Sequence, residues 1–83
     1  MATRNNDHDD ELREQTRAAL VDLLLSKIKE ERFPSASTMD LLEQIMTVDE
    51  LPAYGAILMD KIADDVYPSQ PMMKRLASFV SPR

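Results

Sequence analysis

Apolar residues recur at helical spacing twice along this chain. Leu20, Leu23, Leu24 and Ile28 keep the i, i+3, i+4, i+8 pattern of an amphipathic helix, and Tyr54, Ile57, Leu58 and Ile62 repeat it. Each long segment runs into an aromatic–Pro pair, Phe33-Pro34 or Tyr67-Pro68. Proline disfavours helical geometry at the residue before it, so these helices should end near Arg32 and Val66. Beyond each corner lies a shorter run: Met39, Leu42, Ile45, Met46, and then Met73, Leu76, Phe79, Val80. The spacing predicts helices over 10–32, 36–46, 50–66 and 70–80. The short ones span about three turns, too few to persist alone, and must dock on the long ones.

The similarity goes beyond spacing. Sliding the chain by 34 residues aligns Thr16–Met46 on Glu50–Val80 without a gap. Identities fall at Ala19/Ala53, Leu24/Leu58, Lys27/Lys61, Ile28/Ile62, Pro34/Pro68, Ser35/Ser69, Met39/Met73 and Leu42/Leu76. Amphipathicity alone does not supply a Pro-Ser step with an aromatic before it and a Met four residues on. The expected fold is all-α: a compact four-helix domain of two αα-hairpins related by a pseudo-two-fold axis, with Leu, Ile, Met, Phe33 and Tyr67 in one core. Tetratricopeptide repeats share the period, but their signature positions are not met and two copies are too few for an array.

The alignment also selects helix caps. Ser35, Ser37 and Thr38 could each cap the second helix, but Ser37 is matched by Pro71, which has no side-chain acceptor. Only Ser35 and Ser69 serve both copies. Pro71 then falls in the first turn, where a missing N–H matters little, and Met39 and Met73 stand where they could staple back on Phe33 and Tyr67. Thr47-Val48-Asp49-Glu50 reads as a capping box, yet Pro52 would remove a hydrogen bond from a helix capped at Thr47, so Asp49 is the expected cap. The domain should cover 10–80, with repeats at 16–46 and 50–80, a disordered acidic lead-in at 1–9 and a tail at 81–83. The first helix extends about two turns beyond its counterpart, through Leu12 and Thr16.

Composition narrows the function. Eighty-three residues make one domain of modest stability. There is no cysteine, hence no disulfide or thiolate chemistry. No apolar run reaches the ~18 residues of a membrane span, and the acidic start is not a signal peptide, so a cytoplasmic location without membrane contact is expected. A net charge of −5 works against binding a phosphate backbone. His8 is the single histidine and has no second His or Cys with which to build a firm metal site. Lys27 and Lys61 recur, but suit helix C-termini; the recurring acids Glu30, Glu31, Asp64 and Asp65 should be solvated rather than paired for acid–base work. No phosphate loop, nucleophile elbow or metal motif is present. No catalytic residue, metal or cofactor is therefore expected.

The segments Lys27-Ile28, Glu31, Phe33-Pro34-Ser35 and Met39, echoed at Lys61-Ile62, Asp65, Tyr67-Pro68-Ser69 and Met73, resemble a family of small conserved hypothetical all-α proteins of actinobacteria. These repeat an aromatic-Pro-Ser corner. The resemblance covers about Leu12 to Val80 and implies a compact helical fold and nothing catalytic. The expected function is a non-enzymatic interaction module, joined to a protein partner or to a second copy in a homodimer. Its candidate surface is Leu12, Thr16 and Ala19 on the overhang, with the surplus apolar residues Val21, Leu25, Met59 and Met72. The alternative is a small nucleic-acid-binding regulator using Lys74, Arg75 and Arg83 on the basic last helix.

Overall fold

The structure is a computed structural model that describes residues 2–65 and 69–80, with side chains from His8 onward. It is all-α. Four helices follow in order: α1 (Ala2–Glu30), α2 (Ala36–Ile45), α3 (Leu51–Asp64) and α4 (Gln70–Val80), with a 3-10 turn over Val48–Glu50 leading into α3. Contacts gather the chain into two units, Met1–Met46 and Thr47–Arg83, which divide it between the expected repeats. In the first, α1 packs on α2; in the second, α3 packs on α4 and on the 3-10 turn.

The first helix starts earlier than expected. It begins at Ala2, not at residue 10, so the acidic lead-in is helical rather than disordered. No Pro or Gly interrupts the chain before Pro34, and extending an existing helix costs far less than starting one. Lys27 and Lys29 lie in its last turn, where they favour the negative end of the helix. The Arg13–Asp10 pair, 3.7 Å apart and exposed on both sides, adds a few tenths of a kcal/mol at most.

The core face of α1 is rotated from the expected one. Val21, Leu24 and Ile28 are buried, while Leu23 is 54% exposed. A run such as Leu23-Leu24-Leu25 does not fix the orientation of a helix; the docking of α2, which buries Met39 and Leu42, does so. One polar contact marks the same face: Arg17, one turn before Val21, donates from Nη1 to the carbonyl of Ile45 at 3.1 Å. In the second unit Tyr54, Leu58 and Met72 are buried.

Both serine caps form. Ser35 is extended (φ −69°, ψ 149°), and its Oγ accepts from the Thr38 amide at 3.1 Å. The Ser69 hydroxyl accepts from the Met72 amide at 3.3 Å. Met39 and Met73 occupy the fourth helical position, their amides donating to the Ser35 and Ser69 carbonyls at 3.1 Å each. Replacing Ser35 or Ser69 by Ala should lower stability by ~1 kcal/mol, whereas Ser35→Gly should cost only a few tenths, as urea melts would show.

Two local expectations are corrected. Phe33 is not in the core: it is 67% exposed, with the Arg32 guanidinium 5.4 Å from its ring centre. Pro34 is the buried residue of the corner, and an exposed cation–π contact compensates the ring only partly for staying in water. Tyr67 and Pro68 lie outside the described residues. The second correction concerns Thr47, which opens the 3-10 turn in place of Asp49; its amide donates to Glu50 Oε1 at 2.8 Å. Pro52 raises no conflict there. The Leu51 amide already takes the Val48 carbonyl, the acceptor that a proline at 52 would have left unfilled.

Candidate functional site

The second unit carries an apolar groove of about 510 Å³ between α3 and α4. Its formation follows from the packing beside it. Tyr54 points into the unit's core and meets the Phe79 ring edge-on, with centroids 6.0 Å apart. The next residue, Gly55, offers no side chain, and the space above it is bounded by Pro52, Ala56 and Met59 on α3 and by Leu76 and Phe79 on α4. Met59 is 60% exposed at this groove.

Gly55 lies inside a helix, where glycine is disfavoured by ~0.8–1 kcal/mol relative to alanine. A Cβ placed on it would lie 3.9 Å from Leu76 Cδ2, an ordinary contact. Gly55→Ala should therefore stabilise the chain by about 0.5–1 kcal/mol while narrowing the groove, a gain that a thermal melt would register.

The first unit has a smaller groove of about 390 Å³ where α1 passes the end of α2. Leu12, Thr16, Leu20 and Ile45 line it, with Arg13 and Arg17. Arg17 is committed to structure. Its Nε and Nη2 donate to the two carboxylate oxygens of Glu14 at 2.9 and 2.6 Å, and its Nη1 closes the C-terminus of α2 at Ile45.

The residues singled out in the sequence therefore separate. Leu12 and Thr16 are exposed on α1, Met59 is exposed on α3, and Leu25 is half-buried. Val21 and Met72 are corrected from surface to core, at 0% and 3% exposure, and cannot meet a partner in the folded chain. On α1, Val21 completes the buried face with Leu24 and Ile28. Lys74 is exposed and Arg75 half-buried, while Arg83 lies outside the described residues. Sequence reasoning missed Gly55 and placed Leu23 on the buried stripe, where it is instead exposed. The glycine had a signal, since Gly55 aligns with Val21 and so marks a place where a buried side chain is missing.

Among the described residues, no cluster of three or more His, Cys, Asp or Glu side chains is placed to hold a metal ion. None of their helices is long and apolar enough to cross a membrane. No family model, curated protein or solved structure matches this chain.

Proposed function

We propose that this chain is a non-enzymatic interaction module, acting by self-association or through a protein partner in the cytoplasm. One observation carries the reading: α1 keeps Leu12 and Leu23 about half exposed on a helix that is also solvent-facing at Thr16 and Ala19. Burying a fully exposed leucine contributes ~1.5–3 kcal/mol, so covering one that is already half buried contributes roughly half of that, and such a face gains from being covered. The apolar groove beside Gly55 adds surface of the same character. The acidic balance and the half-buried Arg75 give less support to a nucleic-acid regulator. Light scattering after size exclusion tests the self-association version. Mass should rise with concentration, and a strict monomer at about 1 mM chain would remove that version.

A further inference from the structure

The exposed residues of α1 form an ordered seam. Leu12, Thr16, Ala19, Leu23 and Ser26 are spaced 4, 3, 4, 3, the a/d register of a coiled coil, and all five are exposed. The seam lies roughly 150° around the helix from the buried face of Val21, Leu24 and Ile28. Within its own unit α1 meets only α2, and at 29 residues against 10 it is ~44 Å long against ~15 Å. The Arg17–Ile45 hydrogen bond puts the end of α2 level with residue 17, so the earlier turns of α1 continue past it.

Charge chooses the occupant and its direction. The early part of α1 carries Asp9, Asp10, Glu11 and Glu14 against Arg13 and Arg17 and so stays acidic on balance, while its last turn carries Lys27 and Lys29 against Glu30 and is basic on balance. Two copies laid parallel would set the acidic stretches side by side. Laid antiparallel, each acidic stretch comes within about a turn of the partner's lysines, and the two helix dipoles oppose. We infer that α1 pairs antiparallel with α1 of a second copy along this seam, Leu12 opposite Leu23 of the second copy and Thr16 opposite its Ala19. This register is isologous, as a two-fold dimer requires, and it encloses the small residues Thr16 and Ala19 between two Leu–Leu contacts. The inference rests on the self-association reading above and goes further by fixing face, register and direction.

The chain has no cysteine, so introduced ones report cleanly. An equimolar mixture of L12C and L23C should form a disulfide heterodimer on mild oxidation at least ~10-fold faster than either variant alone. In the antiparallel pair, Leu12 of one copy lies ~16 Å along the axis from Leu12 of the other, beyond disulfide reach. Raising salt from about 50 to about 500 mM should weaken association of the unmodified chain. L23K should weaken it at least ~10-fold with unchanged circular dichroism, since this side chain is exposed. Rapid self-cross-linking of L12C, or association that strengthens with salt, would overturn the antiparallel pairing but leave self-association standing. A monomer at about 1 mM that forms neither disulfide would overturn both.

Discussion

Tyr54→Ala should unfold the second unit, at a cost of ~3–5 kcal/mol. The ring is fully buried, it anchors α3 on the edge of Phe79, and no other aromatic side chain is buried among the described residues. A chain of this size has several kcal/mol of stability in all, so the loss is comparable with the whole. Circular dichroism should show reduced helicity at room temperature, with the amide resonances of α3 and α4 collapsing toward unfolded positions. Tyr54→Phe is the control. It keeps the ring and removes only the hydroxyl, so it should cost under half as much; an equal cost would mean that a polar contact, not ring packing, holds the unit.

The second large effect is a contrast between aligned leucines. Leu42 is completely buried between α1 and α2, whereas Leu76 is half-buried and borders the open groove. Leu42→Ala should cost ~2–5 kcal/mol, through lost transfer energy and a cavity that close packing cannot relax. Leu76→Ala should cost about half as much, because solvent already reaches that site. Urea melts of the two variants decide the matter. Equal losses would show that the groove is closed in solution.

These asymmetries mark where the sequence stops being legible. Helix content, the corners at Pro34 and the capping roles of Ser35 and Ser69 follow from backbone chemistry that acts over a few residues, and alignment resolved the choice among Ser35, Ser37 and Thr38. The rotation of α1 does not follow in that way. Val21 and Leu23 differ little in hydrophobicity, and only the position of α2 decides which of them is buried. Phe33 shows the same limit from the other side: an aromatic beside a proline reads as core, yet the chain reverses direction there and buries Pro34 instead. Thr47 and Pro52 are incompatible only in a continuous α-helix, and one 3-10 turn removes the conflict. For the candidate surface, exposure at Leu12, Thr16 and Met59 could be read in advance, while the burial of Val21 and Met72 could not.

No described residue has a positive φ, and the extended residues Met46 and Asp65 end α2 and α3 where glycine often serves. The corners among the described residues of this protein thus make no demand for an achiral residue. Its one glycine stands mid-helix, in a conformation every L-amino acid adopts, and its effect there is vacancy rather than bend. As far as its described residues go, such a fold could be written without glycine, which is used here only to leave a space.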